Sequence, residues 1–227
     1  MEILRLVIRS DDLGYSEAVN YGVEKALRFG MTRSVGLMPN MQAAAHGLKL
    51  LQGLDVCIGQ HTNICVGRPC ADPKRIPSLL NADGCFKSSR EYREAAMDMV
   101  VLGEAVIEVE AQYARFKELT GREPDYFECH AVRSANFIRA VELVSEKHGL
   151  KFSGPFLRGQ ATARVGSEQT YRWGVNNFAP DYDPAEALRR VVRTTRRDLP
   201  GVYVCHPGYG DAYLLKNSSL HTNRAKE

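Results

Sequence analysis

The chain has 227 residues, of which 44% are hydrophobic and 25% charged, and its formal net charge is +3. This is the composition of an ordinary globular protein, and the length suits one α/β domain over residues 1–227. The basic residues are scattered, which argues against nucleic-acid binding, and no apolar run approaches the about 18 residues that a membrane span requires.

The six cysteines indicate a reduced protein. None of them forms a Cys-x-x-Cys pair, and their spacing matches no zinc knuckle. The N-terminal apolar run ends near Ile8 and is too short for a signal peptide. We therefore predict a cytoplasmic protein.

Strand-like and helical segments alternate along the chain. In the first half, the predicted elements are strands over residues 3–8, 34–38 and 56–59, helices over 16–30 and 42–52, and an ordered loop over 65–88. In the second half, they are helices over 89–119 (interrupted near Gly103), 137–148 and 184–197, and strands over 126–129 and 202–205. Residues 151–180 fit neither pattern. The alternation predicts a mostly parallel sheet covered by helices.

Side chains that can bind a metal lie at the ends of the predicted strands. Asp11 and Asp12 follow the first strand, and His61, His130 and His206 each lie at the end of another. Because barrel sites gather at the carboxyl ends of the strands, these positions favour a β/α barrel over an open sheet.

Two imidazoles and one carboxylate are enough to hold a divalent ion with open positions for water and substrate. A second carboxylate can act as a general base, and a further histidine can protonate a leaving group. The pattern alone also allows a plainer interpretation, in which the Asp-Asp pair is a helix-capping turn and the histidines are structural.

The motifs around these residues occur in the order seen in a known family. They comprise Ser10-Asp11-Asp12-Leu13-Gly14, Thr32-Arg33-Ser34, Gly59-Gln60-His61-Thr62-Asn63, Pro77-Ser78-Leu79-Leu80, Glu128-Cys129-His130, His206-Pro207-Gly208-Tyr209, and Ser218-Ser219 with Arg224. Together they resemble the YdjC-like family of carbohydrate deacetylases, which includes the chito-oligosaccharide deacetylases. The resemblance covers essentially the whole chain.

The resemblance implies a distorted, TIM-like β/α barrel that removes an N-acetyl group from an amino sugar by metal-dependent hydrolysis. It makes Asp12, His61 and His130 the metal ligands, Asp11 the general base, and His206 the acid or a substrate-orienting group. The expected cofactor is one divalent ion, either zinc or magnesium. Two imidazoles suit zinc or another transition metal better than magnesium, which prefers oxygen ligands.

Substrate-binding roles are expected for Asn63, Glu128 and Arg133. The sequence departs from the family pattern just after His130, because Val132 and Ser134 stand where the family has two further histidines. Glu128 also replaces an aspartate. These departures leave the metal ligands in place but change the substrate side of the site.

Two other functions are consistent with the residues. One is a metal-dependent phosphoesterase or glycoside-phosphate cleaving hydrolase on the same fold, and the other is a sugar-binding protein without catalysis. The expected partner is a small saccharide, with no nucleic acid and no membrane, and a homo-oligomer is left open. The chain ends at Glu227, where family members usually continue, so we expect a shortened or truncated C-terminus.

Overall fold

The computed structural model describes residues 4–155, 162–172, 177–195 and 197–227. Within them, seven strands form one sheet: β1 (Leu6–Leu13), β2 (Ser34–Leu37), β3 (Cys57–Thr62), β4 (Phe127–Cys129), β5 (Thr162–Val165), β6 (Glu168–Arg172) and β7 (Gly201–Cys205). The order across the sheet is β4-β3-β2-β1-β7-β6-β5, and every pair is parallel except β5 with β6. The predicted distorted β/α barrel with mostly parallel strands is confirmed.

A short stretch of chain joins the two edges of the sheet. Phe152 forms a parallel bridge with Phe127 of β4, and Ser153 forms an antiparallel bridge with Val165 of β5. These bridges curl the sheet, so that one of its faces becomes an interior.

The described residues include seven α-helices: α1 (Glu17–Phe29), α2 (Ala44–Leu50), α3 (Ser89–Glu94), α4 (Leu102–Thr120), α5 (Ala135–Lys147), α6 (Pro184–Thr194) and α7 (Ala212–Asn217). Helix α1 begins after its N-cap Ser16, whose side chain accepts a hydrogen bond from the Val19 N–H. None of the described helices is long and apolar enough to cross a membrane.

The apolar core lies between the helices and the sheet. One cluster joins Val23 of α1 to Val35 and Leu37 of β2, and a second joins Phe127 of β4 to Phe137 of α5. Because these contacts bury the apolar side chains outside the curled sheet, its interior is free to hold polar groups.

Three predicted boundaries were wrong. Strand β1 continues past the predicted end at residue 8, through Asp11 and Asp12 to Leu13, and His61 lies within β3 rather than beyond its end. Both strands extend because their polar side chains find partners in the interior. Gly103 lies in the first turn of α4, and the break precedes it; the predicted strand residue 3 lies outside the described residues.

Candidate metal centre

Three potential metal ligands converge at the carboxyl ends of β1, β3 and β4. Asp12 Oδ1 lies 3.1 Å from His61 Nε2 and 3.0 Å from His130 Nδ1, and the two imidazole nitrogens are 2.9 Å apart. Asp12 and His61 are buried, whereas the side chain of His130 is 13% exposed. All three line one cavity of about 440 Å³. The structure therefore brings together the three residues predicted as ligands.

The spacing of these three atoms fits one divalent ion. Ligand atoms about 2.1 Å from an ion and at right angles to one another stand about 3.0 Å apart, whereas tetrahedral angles would separate them by about 3.4 Å. Two imidazole nitrogens and a carboxylate oxygen are also a donor set that divalent metals prefer. The three residues form a candidate metal-binding group.

An unusual backbone conformation allows Asp11 and Asp12 to face the same cavity. Side chains alternate along a regular strand, so adjacent aspartates would point to opposite faces of the sheet. Asp12 has a φ of 73°, and the pairing of β1 with β2 changes register between Ser10 and Leu13. Both carboxylates consequently line the cavity. Strained backbone of this kind is concentrated at functional sites.

Arg9 holds two buried carboxylates. Its Nε and Nη2 atoms donate to the two oxygens of Asp11 at 2.6 and 2.9 Å, and Nη2 also contacts Glu128. Burial alone would raise the pKa of Asp11, but the charges of Arg9 and then His61 outweigh this effect and hold that pKa below its ordinary value. Asp11 is therefore an anion at neutral pH and a weak base.

Glu128 also approaches the second nitrogen of His61. The parallel register of β3 and β4 pairs these two residues, and Glu128 Oε1 lies 3.2 Å from His61 Nδ1. A carboxylate at this position orients a ligating imidazole and makes it a better electron donor. The contact suits a positioning role, and the predicted substrate-binding role of Glu128 stays a prediction.

Gly36 on β2 leaves the space that Glu128 and His61 occupy. A Cβ atom at Gly36 would lie 2.6 Å from Glu128 Oε1 and 3.1 Å from His61 Cβ. We expect Gly36→Ala to displace Glu128 and to weaken zinc binding by roughly 10- to 100-fold, as loss of an outer partner usually does. Isothermal titration measures this change. Gly103→Ala is the control, because a Cβ there meets nothing within 4 Å; equal affinities in the two variants would contradict the prediction.

His206, the predicted acid, follows β7 and lines the same cavity. Its Nδ1 atom lies 3.2 Å from Asn177 Nδ2, and its backbone N–H donates to the Glu227 carboxylate. An amide that donates to Nδ1 leaves the ring proton on Nε2. His206 thus has an N–H available for a neighbouring group, and its catalytic role stays a prediction.

The other two predicted substrate-binding residues have different surroundings. The Asn63 amide donates to Asn40 Oδ1 and to the Val66 carbonyl, and its oxygen accepts from the Cys65 and Val66 N–H groups. These bonds fix the loop that follows β3. Arg133 is exposed and lines the cavity. The position of Arg133 would allow it to contact a substrate. The hydrogen bonds of Asn63 instead indicate that it supports the loop.

The departures after His130 have local structural roles. Val132 is buried and packs in the same apolar cluster as Phe137. Ser134 caps α5, because its side chain accepts a hydrogen bond from the Phe137 N–H. In this chain the two positions therefore support the loop and helix that follow β4.

Sequence reasoning did not identify Arg224 as a site residue. Its Nη2 atom lies 2.6 Å from Asp12 Oδ2, and its side chain is buried. The two residues are 212 positions apart, so no local spacing connects them. The one signal in the sequence was the place of Arg224 in the closing motif.

Protons and a metal ion compete for the two histidines. Burial alone would lower the pKa of His61, but Glu128 and Asp11 outweigh it and raise this pKa to about 10. Burial would also lower the pKa of His130, but the negative charge of Asp12 outweighs it and raises this pKa to about 9. Without a metal, these raised pKa values favour protonated rings at neutral pH. Protons on the ring nitrogens must leave before those nitrogens can hold an ion.

We expect metal binding near pH 7 to release protons and to strengthen as the pH rises. Calorimetric titrations in buffers of different ionisation enthalpy count the released protons. In the metal-free protein, the raised pKa values stabilise the fold fully below about pH 6.5, and this stabilisation is lost as the pH rises through about 9 to 10. Metal affinity that does not change between about pH 6 and 8 would refute this prediction.

The fold and the site define a β/α-barrel protein with a candidate metal centre. A model of the family described as YdjC-like protein matches residues 5–227, and the chain belongs to this family. The carbohydrate deacetylase of Geobacillus stearothermophilus is 32% identical, over 97% of this chain and 86% of its own length. The chitooligosaccharide deacetylase of Serratia marcescens is 28% identical, over 95% of this chain and 86% of its own length. The family predicted from the motifs is confirmed.

A solved structure from Enterococcus faecalis has the same fold. That protein, provisionally described as a cellobiose-phosphate cleavage protein, superposes with a TM-score of 0.74 over 99% of this chain and 88% of its own. The two sequences are 20% identical. At this identity the match concerns the fold, and it agrees with the curled, mostly parallel sheet.

Proposed function

We propose that the protein is a metal-dependent hydrolase that removes N-acetyl groups from amino sugars or chito-oligosaccharides. The observation that carries this proposal is that Asp12, His61 and His130 line one cavity with their candidate ligand atoms within 3.1 Å of one another. Two relatives that align along most of their length, a carbohydrate deacetylase and a chitooligosaccharide deacetylase, supply the reaction class. The substrate is accordingly a small saccharide.

Asp12, His61 and His130 would hold one divalent ion. Two imidazoles favour zinc or another transition metal, with magnesium as the alternative. When bound, such an ion polarises the acetamide carbonyl and lowers the pKa of water at the site.

The protein's own residues supply the proton transfers. Asp11 is anionic and neighbours the ligand Asp12, so it serves as general base for the attacking water. Arg9 limits how strongly Asp11 can attract a proton, which makes activation of the water by the ion necessary. Asp11 then returns the proton that it took from water to the departing amine, His206 donates a hydrogen bond from Nε2 that orients the substrate, and Arg133 contacts the sugar at the edge of the cavity.

The test is acetate release from N,N′-diacetylchitobiose and from its phosphate. We expect release by the purified protein, loss of release after chelation, and recovery when zinc or magnesium is returned. Acetate release that is unchanged by chelation would refute the metal mechanism.

The same incubations separate the other two functions. Phosphate release without acetate from the phosphorylated sugar would identify a phosphoesterase. Saccharide binding with no turnover in any metal would identify a binding protein. Either result would replace the proposed deacetylase activity.

A further inference from the structure

Arg224 binds the oxygen of Asp12 that does not face the two histidines. Its Nη2 atom lies 2.6 Å from Asp12 Oδ2, and Asp12 Oδ1 is the atom that lies beside His61 Nε2 and His130 Nδ1. We propose that Arg224 is a positioning residue that keeps Asp12 a one-oxygen metal ligand. A carboxylate bound through both oxygens would fill a second coordination position, which Arg224 thereby keeps free for water and substrate. The inference rests on the metal site of the proposed function.

Arg224 is itself held firmly. Its Nε atom donates to the Leu220 carbonyl at 2.6 Å, and its guanidinium carbon lies 5.6 Å from the centre of the Tyr15 ring. The side chain is 2% exposed. A planar guanidinium fixed by a hydrogen bond and an aromatic ring loses little further freedom when it binds a carboxylate. Arg224 can therefore impose its orientation on Asp12.

The backbone conformation of Asp12 limits the orientations that its carboxylate can adopt. Asp12 has a φ of 73°, so its side chain leaves the strand in a direction that regular alternation would not give. Arg224 then binds the oxygen on one side, and the two imidazoles face the oxygen on the other. The two contacts together fix the rotation of the carboxylate group.

The positioning role of Arg224 and its positive charge predict opposite changes in metal affinity when the residue is replaced. A cation this close to a metal ligand repels a metal ion, so removal of the charge alone would tighten metal binding. If orientation dominates, removal of Arg224 weakens binding, because Asp12 is free to turn. The sign of the change in affinity therefore distinguishes the two effects.

The experiment compares Arg224→Met, which keeps a long apolar side chain, with Arg224→Lys, which keeps the charge. Lys226→Ala is the matched control, because Lys226 lies in the same segment but donates to the Tyr182 carbonyl. Zinc affinity is measured by competition with a chromophoric chelator. The visible absorption of the cobalt-loaded proteins reports the coordination around the ion.

We expect Arg224→Met to weaken zinc binding by roughly 10- to 100-fold and to change the cobalt spectrum. Arg224→Lys should lose less affinity, and Lys226→Ala should match the parent protein in both measurements. If Arg224→Met does not fold without metal, the cobalt spectra of the Lys variant and of the metal-refolded Met variant supply the comparison.

A parent-like spectrum and affinity in Arg224→Met would overturn the inference, and so would tighter zinc binding. Neither measurement depends on turnover. If the parent protein releases no acetate but the metal readouts change as expected, the proposed reaction fails and the role of Arg224 stands. If acetate is released and Arg224→Met binds metal normally, the inference fails alone.

Discussion

Replacement of His61 or His130 by alanine is expected to remove tight metal binding and, with it, hydrolysis. Each substitution deletes one of three candidate ligand atoms that lie within 3.1 Å of one another. The loss of affinity should exceed the roughly 10- to 100-fold cost of losing an outer partner. Metal analysis of the purified variants and acetate release measure the two effects.

His148→Ala provides the control for these substitutions. His148 lies at the end of α5 and its Nε2 atom is 2.9 Å from Glu110, outside the cavity that the ligands line. We expect this variant to retain both metal and activity. Full metal retention by the alanine variants at positions 61 and 130 would show that the ligand assignment is wrong.

Arg9→Met is expected to give the largest loss of stability in the metal-free protein. It leaves the carboxylates of Asp11 and Glu128 buried without their shared cation. Removal of one partner from a buried ion pair typically costs about 3–5 kcal/mol, a large part of the about 5–15 kcal/mol that stabilises a domain. Urea unfolding followed by circular dichroism measures the difference.

The pH dependence of this loss follows from the charge of Asp11. In the parent protein, the lowered pKa of Asp11 contributes stability above the ordinary pKa of aspartate, and this contribution is lost as the pH falls through the lowered value. Without Arg9 the carboxylate gains by accepting a proton, so the deficit should shrink as the pH falls from 7 towards about 4.

Arg189→Met is the matched control for Arg9. Arg189 forms an ion pair with Glu186 on α6, and both side chains are more than half exposed. Exposed pairs contribute about 0–1 kcal/mol, so this variant should unfold almost as the parent does. Equal stability of the Arg9 and Arg189 variants would show that the buried carboxylates are satisfied in another way.

Three further residues support the side chains of the candidate metal centre and the neighbouring Asp11. Arg9 keeps Asp11 anionic, Glu128 supports His61, and Arg224 orients Asp12. Glu128 and Arg224 lie on different elements from the residues that they support, whereas Arg9 and Asp11 share β1. Under the proposed function, substitution of Glu128 or Arg224 should change metal binding, and substitution of Arg9 should also lower the stability of the fold.

The sequence by itself determined the alternation of strands and helices and placed Asp12, His61 and His130 at strand ends as candidate ligands. The alternation follows from local periodicity, and any parallel barrel gathers polar residues at the strand ends on one rim. The ordered motifs then indicated the family. The substrate-binding roles of Asn63, Glu128 and Arg133 stay predictions.

Only the tertiary structure decided how the site is supported. Strict alternation places Asp11 and Asp12 on opposite faces, and the positive φ of Asp12 reverses this. The contact of Arg224 with Asp12 spans 212 residues, and the space above Gly36 is filled by a side chain from two strands away. Such contacts depend on strand order, register and closure of the sheet. These are long-range properties that the periodicity of a single segment does not contain.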